Sequence, residues 1–327
     1  MTIMLDEIRE EPRSISQTIS QNKDKVQKIA RILRGSSMVY VTGSGTSYNA
    51  SVFLSILLLK SGVPAYPLQA SDFNDFTVSD TFSNPVNIIF SQSGENIDAL
   101  SSMKFSKSKN IRTIGITNNP ESTLARNLDL SIVTMAGNEL SVAATKSHTV
   151  QHAVSILIYD ALNSQLLDKE MSKASSLVEK AILNDSIVRD LGNKLKDHVV
   201  LLGAGLYYPL AMEGALKFKE TSGTYSEAYS TREYLHGPIR LLNDQTSVIL
   251  LRTNESSDNT VIKKINEIGG HVITIGTYSS DITVPQTDNM VLSLEYLSVL
   301  QMLANFKAQF KGEDPDHPRH LSKVVRE

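Results

Sequence analysis

The chain has 327 residues, with 32 Lys and Arg against 35 Asp and Glu and a formal net charge of −3. It contains no cysteine, which excludes disulfides, thiolate metal sites and a cysteine nucleophile within this sequence. The nearly balanced charge provides no general attraction to nucleic acid or to an anionic membrane, so neither is an expected partner.

The N-terminus is acidic and lacks the apolar core of a signal peptide, and no apolar stretch has the length of a membrane span. We therefore expect a cytoplasmic protein. Apolar residues at helical spacing predict a first helix over 14–34 that ends at Gly35. Short apolar runs, typical of parallel strands buried on both faces, then alternate with helical patterns. The elements predicted in chain order are strand 38–42, helix 47–60, strand 86–90, helix 96–108, strand 111–116 and helix 142–165.

The second half of the chain repeats the pattern of the first. MVYVTGSG at 38–45 aligns with HVVLLGAG at 198–205, at an offset of 160 residues. At the same offset, residues 86–95 align with residues 246–255, and Glu95 aligns with Glu255. When one residue of shift is allowed, a third strand-like pair aligns, residues 111–117 with residues 271–277. Three strand-like segments in one order predict two similar α/β halves, joined by a helical stretch over 166–196.

Two loops that follow predicted strands carry neutral hydrogen-bond donors. The first contains Gly45, Thr46 and Ser47, and the second is SQSGEN at 91–96. Each loop opens a helix whose first-turn N–H groups carry a partial positive charge, at the sheet edge where open α/β sheets bind ligands. We interpret the two loops as a cradle for one phosphate monoester. The alternative is that the same groups only cap the helices.

Other phosphate and metal sites are not supported by these loops. A nicotinamide site needs a third glycine and a later acidic residue, and a nucleoside triphosphate loop needs Gly-Lys-Ser/Thr; neither pattern is present. Neither loop carries Lys or Arg, which argues against a polyphosphate, and clustered carboxylates for magnesium are missing. We expect no cofactor and no metal.

A third group of polar residues lies in the second half. Tyr208-Pro209 begins a predicted helix on which Glu213, Lys217 and Glu220 share one face, at spacings i, i+4 and i+7. The opposite face is apolar, which favours a packed helix over the alternative, a solvated face with ordinary salt bridges. His236 follows in a His-Gly-Pro turn, whereas His148 is interpreted as an ordinary histidine.

Six segments in this order resemble the sugar isomerase half of glucosamine-6-phosphate synthase: GSGTSYN, SQSGE, VAATKSHT, EGALKFKE, YLHGP and PRHLSKVV. The similarity runs from EIREEP at 7–12 to the last residue. It implies an α/β fold with two tandem sugar isomerase (SIS) domains. Each domain is expected to be a flavodoxin-like parallel sheet flanked by helices, and two chains are expected to form a homodimer. The boundaries we expect are 1–35 for an N-terminal helical segment, 36–165 and 197–310 for the domains, 166–196 for a helical linker with the entry helix of the second domain, and 311–327 for a C-terminal active-site tail.

The resemblance also assigns roles to residues, on a hexose 6-phosphate substrate. It implies that the phosphate is bound by Ser47, Ser91, Gln92 and Ser93, and that the sugar lies against Gly45, Thr46 and Val142. Asn96 and Ser322, at positions that match the motifs, are further substrate-binding candidates. It implies that Glu220 moves the proton between C1 and C2, accompanied by Lys217, and that Lys323 forms a Schiff base with the keto sugar. His236 is implied to open the sugar ring from across the dimer interface. Three positions depart from the family pattern: Asn96 stands for Thr, Ser322 for Ala and Ser44 for Cys.

The synthase takes its ammonia from a glutaminase domain with an N-terminal cysteine. This sequence contains neither the domain nor a cysteine. We therefore expect a standalone glucosamine-6-phosphate deaminase that releases fructose 6-phosphate and ammonia. Three alternatives stay open: an ammonia-dependent synthase half with a separate glutaminase, a deglycase for amino-acid adducts of fructose 6-phosphate, and a non-catalytic phosphosugar sensor.

Overall fold

A computed structural model describes residues 2–75, 82–253 and 255–324. These residues form two compact units, and the segments that build one unit alternate along the chain with the segments that build the other. Within the described set, the first unit takes 10–139, 146–175 and 322–324, and the second takes 2–9, 140–145 and 176–321. The expected domains at 36–165 and 197–310 are continuous stretches of the chain, and their boundaries remain a prediction. Each compact unit, in contrast, is built from several separate stretches.

The described residues of the first unit contain a five-stranded parallel sheet. Its strands are β1 (Val39–Gly43), β2 (Ala65–Gln69), β3 (Val86–Phe90), β4 (Arg112–Thr117) and β5 (Leu130–Val133), in the order β2-β1-β3-β4-β5. All residues of β1 and of β3 are buried, because apolar runs in a parallel sheet are covered on both faces.

The second unit contains a sheet of the same design. Its strands are β6 (His198–Leu202), β7 (Tyr225–Tyr229), β8 (Thr246–Leu251), β9 (His271–Gly276) and β10 (Ile282–Thr283), in the order β7-β6-β8-β9-β10. Both sheets therefore follow the order 2-1-3-4-5 of flavodoxin-like folds, which confirms the fold class and the internal repeat. In this order the chain reverses direction across the sheet between the first and third strands, and ligands of such sheets bind beside that point.

Helices surround the two sheets. In chain order they are α1 (Ile3–Arg9), α2 (Glu11–Arg34), α3 (Thr46–Lys60), α4 (Ile97–Ser108), α5 (Thr123–Asn127), α6 (Lys146–Leu162), α7 (Asp168–Met171), α8 (Ala174–Ile182), α9 (Asp185–Lys194), α10 (Tyr208–Ser222), α11 (Glu255–Glu267) and α12 (Asn289–Lys311). Three of them, α7 to α9, form the predicted helical stretch over 166–196. The helix predicted to start at 142 begins only at Lys146, because residues 140–145 form a loop of the second unit.

The repeat is close at the junction of the first strand with its helix. A Cβ on Gly43 would lie 2.4 Å from the Ser47 carbonyl oxygen, and one on Gly203 would lie 2.2 Å from the Tyr207 carbonyl oxygen. Gly45 and Gly205 both adopt a positive φ, 53° and 55°. Both pairs of glycines therefore serve the same backbone geometry, in which a tight turn brings the helix start against the strand end.

The repeat breaks down after the third strand of each sheet. Six residues, 91–96, separate β3 from α4, whereas β8 ends at Leu251 and α11 already includes Glu255. Glu95 lies in the first of these loops, but Glu255 is already the first residue of α11. The alignment of Glu95 with Glu255 at a constant offset is therefore wrong, and the longer loop belongs to the first unit.

Within the described residues no helix is long and apolar enough to cross a membrane.

Candidate active site

The two cradle loops of the first unit follow β1 and β3 at the point where the strand order reverses. The Ser44 hydroxyl donates to Asp98 Oδ2 at 3.4 Å, which ties the loop after β1 to the first turn of α4. Thr46, Ser47, Gln92 and Ser93 are partly exposed, and Ser91 is buried. The fold thus brings the two predicted donor loops side by side.

The serines of the second loop each accept one hydrogen bond from the backbone of their own turn. Ser91 Oγ accepts from the Gly94 N–H at 3.2 Å, and Ser93 Oγ accepts from the Glu95 N–H at 3.1 Å. A hydroxyl used as an acceptor keeps its own O–H for donation. Capping of the turn and binding of an anion are therefore compatible for Ser91 and Ser93.

The two helix starts differ in what they offer to an anion. Gly45 is the N-cap residue of α3 and supplies no side chain for capping. Asn96, in contrast, caps α4, because its Oδ1 accepts from the backbone N–H groups of Asp98 and Ala99 at 2.9 and 3.2 Å. Those two amides of α4 are committed to Asn96, so an anion near this helix would meet the Asn96 side-chain NH₂ instead.

Gly94 and Glu95 shape the second loop. Gly94 has a φ of 66°, and a Cβ there would lie 2.2 Å from Ser122 Oγ. The Glu95 carboxylate accepts the Thr123 N–H at 2.7 Å, at the start of α5. The acidic residue of SQSGE thus anchors the loop to a neighbouring helix.

Helix α6 connects the cradle to the C-terminal lysine. Gln151 Nε2 donates to Ser47 Oγ at 3.4 Å, and one turn earlier Ser147 donates to Glu139, with Oγ 2.7 Å from Oε2 and the backbone N–H 3.0 Å from Oε1. Lys323 Nζ lies 2.6 Å from the same Oε2 of Glu139. Because residues four apart on a helix are neighbours on its surface, Lys323 and the Ser47 end of the cradle are held by one face of α6.

Glu139 is a residue that the sequence reasoning missed. Its side chain is fully buried, and burial by itself would raise its pKa; the charge of Lys323 and the hydrogen bonds from Lys323 and Ser147 outweigh burial, so the pKa is lowered. Its position just before the VAATKSHT segment is the only signal in the sequence. Ser322, next to Lys323, is exposed, and its hydroxyl donates to the Val324 carbonyl oxygen at 3.4 Å.

In the second unit, α10 carries the predicted charged face. Lys217 Nζ donates to Glu220 Oε2 and lies 3.2 Å from Glu213 Oε1. The side chains of Glu213 and Lys217 are 1% and 0% exposed, whereas that of Glu220 is 22% exposed. The alternative of a solvated face is therefore wrong, and of these three charges only Glu220 reaches solvent.

The charge state of Lys217 follows from its partners. Burial alone would lower its pKa, but the two carboxylates outweigh burial and raise it, so the amine stays protonated. A permanently charged Lys217 fixes the orientation of the Glu220 carboxylate and balances the buried charge of Glu213. Removal of one partner from such a buried arrangement is strongly destabilising.

His236 lies at the end of a 3₁₀ turn, Glu233–His236, and its side chain is exposed. Tyr234, in the same turn, is buried in the core with Val200 and Leu250. Gly237 follows with a φ of 142°, a conformation that favours glycine. The turn is thus fixed by a buried tyrosine and presents the imidazole at the surface of the second unit.

Val142 lies in the loop 140–145, which the second unit holds by two acidic residues. The Glu7 carboxylate accepts the backbone N–H groups of Leu140 and Ser141, and the Asp316 carbonyl oxygen accepts the Val142 N–H at 3.0 Å. The Asp316 carboxylate in turn accepts two N–H groups at the start of α1.

The EIREEP segment supplies further contacts in the first unit. Glu10 Oε2 lies 2.6 Å from Lys146 Nζ, and Glu11 accepts the Thr149 hydroxyl at 2.7 Å. Glu7, Glu10 and Glu11 of this segment therefore each contact a residue within 140–149. Within the described residues no group of three or more His, Asp or Glu side chains is arranged to hold a metal ion.

Comparisons with known proteins identify the family of the chain. The family model for the SIS domain matches residues 32–159 and 194–303. Curated relatives include proteins named glutamine–fructose-6-phosphate aminotransferase (isomerizing) from Sulfurisphaera tokodaii, 34% identical, and from Shewanella oneidensis, 32% identical. Each match covers 98% of this chain but only 56% and 58% of the relative, so the chain spans little more than half the length of these proteins.

Two solved structures match almost end to end. The C-terminal domain of glucosamine-fructose-6-phosphate aminotransferase from Francisella tularensis is 27% identical with a TM-score of 0.88, over 97% of this chain and 98% of that one. Glucosamine-6-phosphate deaminase from Thermotoga maritima is 26% identical with a TM-score of 0.88, over 99% of both chains.

Proposed function

The chain belongs to the SIS domain family, and on this premise we propose that it is a phosphosugar aldose–ketose isomerase that acts as glucosamine-6-phosphate deaminase. The observation that carries the proposal is the arrangement on α10, in which a buried, protonated Lys217 holds Glu220 with its carboxylate open to solvent. A carboxylate fixed in this way can exchange a proton with a substrate carbon, whereas a sensor would need only the phosphate cradle.

The first steps use the donors and the histidine. The hydroxyls of Ser47, Ser91 and Ser93, with the amides of Gln92 and Asn96, bind the phosphate of glucosamine 6-phosphate. His236 transfers the proton of the C1 hydroxyl to the ring oxygen, which opens the ring to the aldehyde. Glu220 then removes the proton from C2 and delivers it to C1, while one proton of the amino group passes to the C1 oxygen, leaving a C1 hydroxyl and an imine at C2.

Release of nitrogen completes the reaction. Water adds to the C2 imine and ammonia leaves, so that glucosamine 6-phosphate and water give fructose 6-phosphate and ammonia. Lys323 can take the place of the departing nitrogen through a transient Schiff base, which water then hydrolyses.

The deaminase reaction is favoured by the likeness to the Thermotoga maritima deaminase over 99% of both chains. A second candidate is the ammonia-dependent half of a synthase, because the curated relatives at 32–34% identity are named as aminotransferases. Both candidates use the same sugar phosphates and the same proton transfer, and they differ in the source of nitrogen and in direction.

The test is to incubate the purified protein with glucosamine 6-phosphate, without glutamine, and to follow ammonia and fructose 6-phosphate together. We expect the two products in equal amounts, and a rate lower by about 10²- to 10⁴-fold in Glu220→Gln, which removes the base. Lys219→Ala, an exposed neighbour on α10, is the matched control and should retain the activity.

Two results would change the proposal. Ammonia release that is no faster than in Glu220→Gln contradicts the deaminase. Efficient formation of glucosamine 6-phosphate from fructose 6-phosphate and ammonium, together with negligible release in the opposite direction, favours the synthase half.

A further inference from the structure

Glu139 and Lys323 form an ion pair in the described part of the first unit, and only the lysine reaches solvent. The carboxylate of Glu139 is fully buried, and the side chain of Lys323 is 24% exposed, with 2.6 Å between Oε2 and Nζ. The lysine is therefore open to a substrate on one side and in contact with a buried carboxylate on the other.

The carboxylate itself is fixed by helix α6. Ser147 donates two hydrogen bonds to Glu139. Its backbone N–H donates to Oε1 and its hydroxyl donates to Oε2. Gln151, one turn later on the same helix, donates to Ser47 of the cradle. A group bound at Ser47 and a group bound to Lys323 are thus positioned by the same rigid element.

We propose that Glu139 positions the amine of Lys323 and accepts the proton that this amine must lose before it attacks a sugar carbonyl. The proposal rests on the proposed function, because it assumes a keto-sugar phosphate as the carbonyl substrate. It adds a residue to the site that the sequence motifs leave out.

The step balances with these groups alone. The ammonium of Lys323 gives one proton to Glu139, and the neutral amine forms a C–N bond to the C2 carbonyl carbon of fructose 6-phosphate. The carbonyl oxygen takes one proton from that nitrogen and becomes the C2 hydroxyl. The protonated Glu139 then returns that proton to the C2 hydroxyl, which leaves as water while the C=N bond forms. One water is released for each Schiff base, and Glu139 ends as a carboxylate.

The surroundings favour an ionised Glu139 before the step. Lys323 and the two Ser147 donors lower the pKa of the carboxyl group against the effect of burial. A second charged pair at the start of α6 is Lys146 with Glu10, and α6 also carries the buried His148, whose ring lies edge-on to that of His152. The carboxylate is therefore available as the acceptor.

The test traps the Schiff base chemically. The full chain is mixed with fructose 6-phosphate and a borohydride reductant over a series of pH values, and mass spectrometry follows the sugar attached at Lys323. We expect Glu139→Gln to slow trapping at neutral pH on the order of 10²-fold and to change the pH dependence of trapping, because the amine then has no carboxylate to take its proton and must lose it to solvent. Glu139→Asp should restore part of the rate.

Two further variants separate this role from a structural one. Glu10→Gln removes the carboxylate partner of Lys146 at the start of the same helix and should leave the pH dependence of trapping unchanged. Ser147→Ala keeps the charge of Glu139 and loses one hydrogen bond, so trapping should slow by a smaller factor; this variant serves if Glu139→Gln does not fold.

The outcomes distinguish the two proposals. If the wild-type chain is trapped at Lys323 and Glu139→Gln is trapped at the same rate with the same pH dependence, the role of Glu139 is wrong and the proposed function stands. If the wild-type chain is not trapped at Lys323 at any pH, the role of Lys323 and that of Glu139 are both overturned. Failure of the deaminase assay with trapping intact contradicts only the proposed reaction.

Discussion

Two buried glutamates show how the partner of a side chain decides its charge. Glu139 has a lysine and two serine donors, and its pKa is lowered in spite of burial. Glu295, on α12, is fully buried, and within the described residues neither of its carboxylate oxygens has a hydrogen-bond partner. Burial therefore raises the pKa of Glu295 to about 8.

We expect Glu295 to make the folded state less stable as the pH rises. An unfolded glutamate titrates near its ordinary pKa of 4.5, so between 4.5 and about 8 the folded chain binds the extra proton. Stability therefore falls with pH across this window, by up to about 1.4 kcal/mol per pH unit, and levels off above it. The measurement is the free energy of unfolding by urea at several pH values.

Glu295→Gln is the matched variant, because it keeps the shape of the side chain and cannot ionise. We expect its stability to lose this slope between pH 4.5 and 8 relative to the wild-type chain. An identical pH dependence in the two proteins would show that Glu295 does not titrate in this range.

At the scale of elements, the strand–turn–helix junctions of the two sheets share one geometry and serve different purposes. Gly43 precedes the turn that places Ser47 in the cradle, and Gly203 precedes the turn that leads into α10. In both, the strand end and the helix start are too close for a Cβ. The same backbone device therefore presents neutral donors in one unit and begins a helix with a charged face in the other.

Alanine at these two glycines should separate stability from binding. A Cβ at Gly43 or Gly203 meets a carbonyl oxygen of the following turn at 2.4 or 2.2 Å, so each variant should lose about 1–3 kcal/mol of stability, measured by urea unfolding. Only Gly43→Ala should raise the KM for glucosamine 6-phosphate, because its turn carries Ser47. An equal rise in KM for both variants would contradict the assignment of the cradle to the first unit.

At the scale of the whole molecule, the resemblance predicts that His236 acts in the site of a partner chain, and its exposure on the second unit is compatible with that role. Mixing His236→Ala with Lys323→Ala chains should then produce hybrid dimers with one intact site. With random exchange roughly a quarter of the wild-type activity should return. Exchange is checked with chains of different mass, and a mixture that exchanges but stays inactive would place His236 in its own chain's site.

Much of the architecture could be predicted from the sequence because it depends on local patterns. The apolar runs of β1, β3 and β8 and the repeat of Gly43 at Gly203 fix where strands end and helices begin. The three charges of α10 also follow from spacing alone, since i, i+4 and i+7 share a face. The break of the repeat after β8 could not be predicted, because the length of a surface loop is not constrained by core packing.

Sequence alone thus determined the two α/β halves, the donor loops and the charged face of α10, all of which arise from periodicity and turn chemistry. Only the tertiary structure decided which side chains are charged and which partners fix their orientation. It placed Glu139 on Lys323, 184 residues apart in the chain, committed two amides of α4 to Asn96, and buried Lys217 between two carboxylates. The reason is physical: a carboxylate or an amine takes its charge and orientation from burial and from partners that are distant in sequence and meet only when the chain folds.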